Sequence, residues 1–180
     1  MEGAIPTKEK LQEALKGGMQ KADADGDGKL SSEEFVLFTK QFMESPDETY
    51  LKSWFRGIDV EGAGKLEFKQ VEDCFKMMLD NWDSINEGKP PLEMLKIWYR
   101  SMDVNRNGQV NLDEMQNFLI SIDKSMTTQT AAVKLRKMDR EGNNDGQINF
   151  HEFCHSFGVD VKKGADAFDG KGNSSCCILI

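Results

Sequence analysis

The chain has 180 residues, of which 38% are hydrophobic and 30% are charged, a balance typical of a globular protein with one domain or two small ones. Its 31 acidic residues against 23 basic ones give a net charge of −8, which argues against a nucleic-acid surface, because such surfaces need clustered Lys and Arg. No run reaches the ~18 apolar residues that span a bilayer, and the N-terminus has no apolar signal-peptide core, so we expect a cytoplasmic protein.

Four segments of the chain share a glycine followed two residues later by an aliphatic residue. The pairs are Gly28/Leu30, Gly64/Leu66, Gly108/Val110 and Gly146/Ile148. Apolar residues at helical spacing flank each pair, which indicates four helix–loop–helix units. We therefore predict an all-α fold with the four units in two paired lobes and short β-bridges between the loops. The predicted organisation is an N-terminal pair at 1–82, a linker at 83–90, a C-terminal pair at 91–160 and a flexible tail at 161–180.

The first loop, Asp23 to Glu34, fits calcium chemistry at every position. Ca²⁺ takes about six to eight oxygen ligands, and a twelve-residue loop with glycine at its sixth position can supply them, with a bidentate glutamate at the end. The predicted ligands are Asp23, Asp25, Asp27, the Lys29 carbonyl, Ser31 through a water, and Glu34. This loop is the first predicted calcium site.

The second loop, Asp59 to Gln70, keeps the first aspartate and the glycine but has Ala63 and Gln70 where a ligand and the clamp are needed. Loss of these oxygens removes tight binding. We predict a structural loop that pairs with the first loop through Leu30 and Leu66.

The third loop, 103–114, also fits the calcium pattern. Its predicted ligands are Asp103, Asn105, Asn107, the Gln109 carbonyl, Asn111 and Glu114. Only the first and last of these are charged, so we expect weaker binding than in the first loop.

The fourth loop admits two registers. Counting back from Gly146 starts it at Glu141, whereas the spacing of Leu135 and Met138 favours a start at Asp139 with two extra residues. The ligands in the favoured register are Asp139, Asn143, Asp145, the Gln147 carbonyl and Glu152. This loop is the candidate for a third calcium site.

The segment His151-Glu152-Phe153-Cys154-His155 matches the HExxH pattern of zinc proteases. Here Glu152 is already the last ligand of the fourth loop, and Gly158 shortens the helix that follows. We therefore expect a protein that is not an enzyme.

The loops at 23–34 and 103–114 resemble those of the EF-hand superfamily, and the resemblance extends from about Lys8 to Phe157. The paired lobes resemble calmodulin and other calcium sensors, which implies a target helix as partner. The chain length, three tryptophans and the degenerate second loop resemble invertebrate sarcoplasmic calcium-binding proteins, which implies a buffer.

The chain ends in Cys176-Cys177-Ile178-Leu179-Ile180, whose last four residues read as a prenylation signal on Cys177. Cys176 could carry a palmitate, and two lipids together anchor a protein stably. The alternative is an apolar end that docks on the protein itself. We predict a membrane-associated sensor that exposes an apolar groove. The groove methionines are Met77, Met78, Met115 and Met126.

Overall fold

The computed structural model describes residues 17–43, 47–140 and 142–168, together with positions 9 and 15. This part of the chain holds nine helices and four short strands. The helices are α1 (Gly18–Ala22), α2 (Ser32–Thr39), α3 (Glu48–Ile58), α4 (Phe68–Asp80), α5 (Trp82–Asn86), α6 (Leu92–Met102), α7 (Leu112–Ile122), α8 (Thr128–Arg140) and α9 (Phe150–His155). The strands are β1 (Lys29–Ser31), β2 (Lys65–Glu67), β3 (Gln109–Val110) and β4 (Ile148–Asn149). None of these helices is long and apolar enough to cross a membrane.

The loops pair two by two through antiparallel strands, β1 with β2 and β3 with β4. In the first pair Leu30 lies opposite Leu66, and in the second Val110 lies opposite Ile148. All four side chains are fully buried, so the aliphatic residue of each repeat fills the centre of a loop pair. The predicted all-α fold with two paired lobes and short β-bridges is confirmed.

All four helices that follow the strands begin with a reciprocal capping box, and three of these boxes have a glutamate at the third helical position. The side chain of the residue before the helix accepts a hydrogen bond from the third helical N–H, while a glutamate at that third position accepts one from the cap residue's N–H. The pairs are Ser31 with Glu34, Asn111 with Glu114 and Asn149 with Glu152. A cap of this kind contributes about 1 kcal/mol, so the glutamates predicted as the last ligands also start the helices.

Each lobe has its own apolar core, and helix α6 contributes to both. In the N-terminal lobe the rings of Trp54 and Phe35 and of Trp54 and Phe75 meet edge to face, with centroids 6.0 and 5.2 Å apart. The side chains of α6 divide into Met94 and Ile97 in this first core, and Leu95, Tyr99 and Met102 in the core of the C-terminal lobe. Helix α6 is therefore buried on two faces.

The two lobes are in direct contact. Among the described elements, α3 and α6 form the most extensive helix pair. The segment predicted as a linker, 83–90, includes most of helix α5, and the α5 residues Trp82 and Ile85 pack against the core of the N-terminal lobe. The apolar side chains of this helix are therefore partly buried against that lobe.

Helices α3 and α6 approach closely at Gly57. A Cβ atom there would lie 2.3 Å from Ser101 Oγ and 2.4 Å from the carbonyl oxygen of Ile97. Beside this contact, Arg56 donates a hydrogen bond to the carbonyl of Ser101, and Arg100 Nε donates to that of Gly57 at 2.6 Å. Both carbonyls lie at helix C-termini, where positive charge is favourable.

The flexible tail predicted after residue 160 packs against the C-terminal lobe in its described part, 161–168. Ala167 is fully buried, and its carbonyl accepts a hydrogen bond of 2.6 Å from Arg100 Nη1. The ring of Phe168 lies 5.9 Å from Arg106 Cζ, a cation–π distance. The few apolar side chains of this part contact the lobe despite the Gly, Lys and Asp around them, and the flexibility of the tail stays a prediction.

Candidate metal centre

Loop 1 brings three carboxylates together between α1 and β1. One oxygen each from Asp23, Asp25 and Asp27 lies within 4.8 Å of the others. The Asp23 carboxylate accepts hydrogen bonds from the backbone N–H groups of Gly26 and Gly28 at 2.9 and 3.0 Å. The cluster offers only oxygen atoms, which is the donor chemistry that suits Ca²⁺.

The Glu34 carboxylate closes the other end of loop 1. Its Oε1 accepts a hydrogen bond from Ala24 N at 2.9 Å, and its Oε2 accepts from the backbone N–H and the hydroxyl of Ser31 at 2.8 and 2.7 Å. The hydrogen bonds from Ser31 hold the pKa of Glu34 below its usual value. The loop backbone thus fixes the carboxylates of its first and twelfth residues, while the predicted Lys29 carbonyl lies on β1 between them.

Loop 3 repeats this geometry with fewer charges. Asp103 Oδ2 accepts a hydrogen bond from Gly108 N at 2.8 Å, and Glu114 Oε1 accepts from Val104 N at 3.0 Å. Both carboxylates are buried, and burial raises the pKa of Asp103. The remaining predicted donors of this loop are the amide oxygens of Asn105, Asn107 and Asn111 and the carbonyl of Gln109.

Loop 2 keeps the backbone arrangement without the acidic clamp. Asp59 accepts hydrogen bonds from Ala63 N and Gly64 N, both at 2.9 Å. At the twelfth position the Gln70 amide oxygen accepts from Glu67 N at 2.8 Å, so a neutral amide occupies the place of the glutamate. This geometry supports a structural role for loop 2.

Loop 4 follows the register that begins at Asp139. This carboxylate accepts hydrogen bonds from Asp145 N and Gly146 N, both at 2.9 Å, as the first aspartate of loop 3 does from its fifth and sixth residues. Glu141, the alternative start, lies outside the described residues.

All four loops share left-handed backbone at their fourth and sixth positions. At the fourth and sixth positions φ is positive in every loop, between 57° and 85°. The fourth residues are Gly26, Gly62, Arg106 and Asn144, and the sixth are Gly28, Gly64, Gly108 and Gly146. The two extra residues of loop 4 therefore lie between its first and third positions.

The insertion in loop 4 lies against the carboxylate of Glu152. A Cβ atom on Gly142 would be 1.9 Å from Glu152 Oε1, so a larger residue there would require the Glu152 side chain to shift. The same carboxylate accepts hydrogen bonds from Asn143 N at 2.8 Å and from Asn149 N at 3.0 Å. The predicted donors Asn143, Asp145 and Gln147 all follow the insertion.

The HExxH segment lies wholly on α9, which ends at His155. The rings of His151 and His155 are parallel, with centroids 6.4 Å apart. Glu152 between them is engaged by the backbone of loop 4, as described above, and His155 Nδ1 lies 3.6 Å from Asp160. This arrangement gives the zinc-protease alternative no support.

Sequence reasoning missed Lys65, which contacts two of the predicted calcium ligands. Its Nζ donates a hydrogen bond to Asp25 Oδ2 at 2.9 Å and another to Asp27. The bond from Lys65 lowers the pKa of Asp25. The seventh position of a calcium loop offers only its backbone carbonyl as a ligand, whereas the pairing of β1 with β2 places Lys65 opposite Ser31 of loop 1.

A second missed residue is Arg106, the fourth residue of loop 3. Its guanidinium donates hydrogen bonds to the carbonyls of Asp59 at 2.6 Å and Val60 at 3.0 Å, so loop 3 contacts loop 2 of the other lobe. No local motif signals such a contact, because the partners are 46 and 47 residues apart.

The predicted lipidation residues, Cys176 and Cys177, lie outside the described residues. The other two cysteines, Cys74 and Cys154, are buried as free thiols, and burial raises the pKa of each to about 12. Both are core residues, and neither belongs to a group that could hold a metal ion among the residues that the structure describes.

A family model described as an EF-hand domain pair matches residues 92–158, and one described as an EF hand matches residues 15–39. The probable calcium-binding protein CML34 of Arabidopsis thaliana is 30% identical over 134 residues, which cover 74% of this chain and 88% of that protein. The probable calcium-binding protein CML25 of the same plant is 29% identical, covering 77% and 70%. The calmodulin-like protein 6 of Oryza sativa subsp. japonica is 26% identical, covering 73% and 74%. The chain therefore belongs to the EF-hand family of calcium-binding proteins.

Proposed function

We propose that the protein is a calcium sensor that binds Ca²⁺ in loops 1 and 3 and, as a third site, in loop 4. The observation that carries the proposal is that, in each of these three loops, backbone N–H groups hold the carboxylates of the first aspartate and of the last glutamate. Loop 2 lacks the glutamate, so its role is to support loop 1.

The order of affinities follows from the number of charged ligands. Loop 1 offers four carboxylates, whereas loop 3 offers only Asp103 and Glu114. Loop 4 offers Asp139, Asp145 and Glu152, but its insertion crowds the last of these. Because EF-hand affinity rises with ligand charge and site rigidity, loop 1 is the tightest site.

The sensor role rests on α7, the helix after loop 3. Glu114 lies in its first turn, so the position of this carboxylate and the start of the helix are linked. Farther along, Phe118, Leu119 and Ile122 are only half-buried. A helix that carries such residues beside a ligand can present them to a target helix when the ligand carboxylate moves.

The methionines predicted for the groove divide into two classes. Met77 and Met126 are half-buried, whereas Met78 and Met115 are buried. The first two are available to a partner without rearrangement, and the other two require a lobe to open. A calcium-dependent opening of a lobe is therefore the step that distinguishes a sensor from a buffer.

Calcium is expected to raise the fluorescence of an apolar reporter dye severalfold. The Glu114→Gln variant removes the clamp of loop 3 and should lose most of this response. The matched control is Asp113→Asn, which makes the same charge change at an exposed neighbouring residue and should respond like the wild type. A wild-type protein that binds calcium without any change in dye fluorescence contradicts the sensor role.

The second candidate function is a cytoplasmic calcium buffer of the sarcoplasmic type. It is favoured by the burial of α6 against both lobes, because rotation of this helix would break the contact between the lobes. Buffer EF-hands open very little on binding calcium. Calcium uptake with an unchanged dye signal is the result that selects this function.

We further propose that the protein attaches to the cytosolic face of a membrane through Cys177 and Cys176. One lipid chain gives marginal binding, and a prenyl group with a palmitate gives stable anchoring. Protein purified from native cells should have a mass above that of the polypeptide, and Cys177→Ser should remove the increase. A wild-type mass equal to that of the bare polypeptide contradicts this attachment.

A further inference from the structure

Loop 1 differs from the other loops in one respect: a lysine side chain from its paired loop contacts its carboxylates. The Lys65 ammonium bridges Asp25 and Asp27, the third and fifth residues of loop 1. The backbone N–H groups of Asp27 and Lys29 hold the other oxygens of these two carboxylates at 3.2 and 2.9 Å. Lys65 therefore contacts the oxygens that the loop backbone leaves free.

The strand pairing determines where Lys65 lies. In the register of β1 and β2, Lys65 lies opposite Ser31, next to the buried pair Leu30 and Leu66. A slip of one residue would expose that pair, so the register is strongly fixed. The ammonium is thus held over loop 1 by the fold of the lobe.

The C-terminal lobe provides an internal comparison. The residue that follows the sixth-position glycine is Lys65 in loop 2 and Gln147 in loop 4. Loop 3 therefore has a neutral side chain at the corresponding position of its paired loop. Loop 1, with more carboxylates, is the one that receives the positive charge.

We propose that Lys65 sets the calcium affinity of loop 1 by acting as an internal cation that shares Asp25 and Asp27 with Ca²⁺. This inference rests on the proposed calcium site in loop 1. Without a divalent ion, the ammonium offsets the repulsion among the three clustered aspartates. When Ca²⁺ binds, the positive charge opposes it, so loop 1 loads at a higher calcium concentration than its four carboxylates alone would give.

The expected size of the effect follows from Coulomb's law. A single charge about 5 Å from a divalent ion in a watery environment changes its binding by on the order of 10-fold, and salt reduces this. An exposed ion pair contributes little to folding stability, so the effect on calcium binding should exceed that on the fold.

The test is a calcium titration of the full chain in chelator-buffered solutions, followed by the amide resonances of Gly28 and Gly108. These N–H groups donate to Asp23 and Asp103, so they report loops 1 and 3 separately. Lys65→Gln should move the Gly28 midpoint to about 10-fold lower calcium at low ionic strength and leave the Gly108 midpoint in place.

The matched control is Lys52→Gln, which makes the same charge change in the same lobe. Lys52 pairs with Glu33, a neighbour of the ligands that is not one of them. A Gly28 midpoint in Lys65→Gln that is within twofold of that in Lys52→Gln overturns the inference and leaves the proposed function standing. A wild-type Gly28 resonance that does not change in millimolar calcium overturns both the inference about Lys65 and the proposed calcium site in loop 1.

Thermal unfolding gives a second readout. In chelator, Lys65→Gln should unfold at a lower temperature than Lys52→Gln, because the clustered carboxylates lose their counter-charge. Added calcium should then raise the unfolding temperature of Lys65→Gln by more than that of the control, since tighter binding stabilises the folded state more. Equal increases in the two variants contradict a role for Lys65 in calcium affinity.

Discussion

Glu34→Gln is expected to weaken calcium binding in loop 1 by about 100-fold, because it removes the charged bidentate ligand from a site whose affinity depends on ligand charge. The fold of the loop should survive. Glutamine can still complete the capping box that starts α2, and loop 2 has such a glutamine naturally at Gln70. The loss should therefore appear in binding and not in the helical content. A chelator-buffered titration followed by the Gly28 resonance measures it.

The control for this prediction is Glu33→Gln. Glu33 is adjacent to the clamp and exposed, and its carboxylate pairs with Lys52 rather than with the loop backbone. The Glu33→Gln substitution should change the calcium affinity of loop 1 by less than about threefold, because it acts only through long-range electrostatics. Equal effects of the two substitutions would mean that net charge, and not the clamp, controls binding.

Gly57→Ala is expected to destabilise the protein by about 2 kcal/mol through overpacking between the lobes. The added methyl would meet Ser101 Oγ and the backbone of Ile97 at distances that require the helices to shift. Alanine normally stabilises a helix by about 1 kcal/mol relative to glycine, so the sign of the effect is diagnostic. Denaturant unfolding measures it, and the radius of gyration from solution scattering should rise as α3 and α6 separate.

Gly18→Ala in α1 provides the comparison for Gly57→Ala. Its added Cβ would lie 3.1 Å from the tip of the Gln41 side chain and 3.2 Å from the Phe38 ring, so these neighbours need to move by only a few tenths of an ångström. This substitution should change the free energy of unfolding by a much smaller amount. If Gly57→Ala raises stability or matches Gly18→Ala, the lobes do not pack as described.

The calcium loops could be predicted from the sequence because their chemistry is local. A loop of twelve residues fixes its own ligands, and the glycine with its aliphatic partner two residues later marks the strand that pairs each lobe. Even the register of loop 4 followed from local spacing. Leu135 and Met138 belong to the helix that delivers Asp139, so they indicate where the loop begins.

The relation between the lobes could not be predicted in this way. The contacts of Arg100 with Gly57 and of Arg106 with Asp59 join residues 43 and 47 positions apart. The burial of Ala167 could not be predicted for the same reason, since it depends on a surface that only the folded lobe provides. One signal was present in the repeat itself. An arginine occurs three residues before the first aspartate in the second, third and fourth units, as Arg56, Arg100 and the exposed Arg136, and the first two join the lobes.

The most direct test of the account is a calorimetric titration of chelator-stripped, full-length protein with Ca²⁺. We expect at least two ions to bind below millimolar concentration, with the tightest site lost in Glu34→Gln and retained in Glu33→Gln. A stripped protein that takes up no calcium at millimolar concentration would contradict the assignment of loops 1 and 3 as calcium sites.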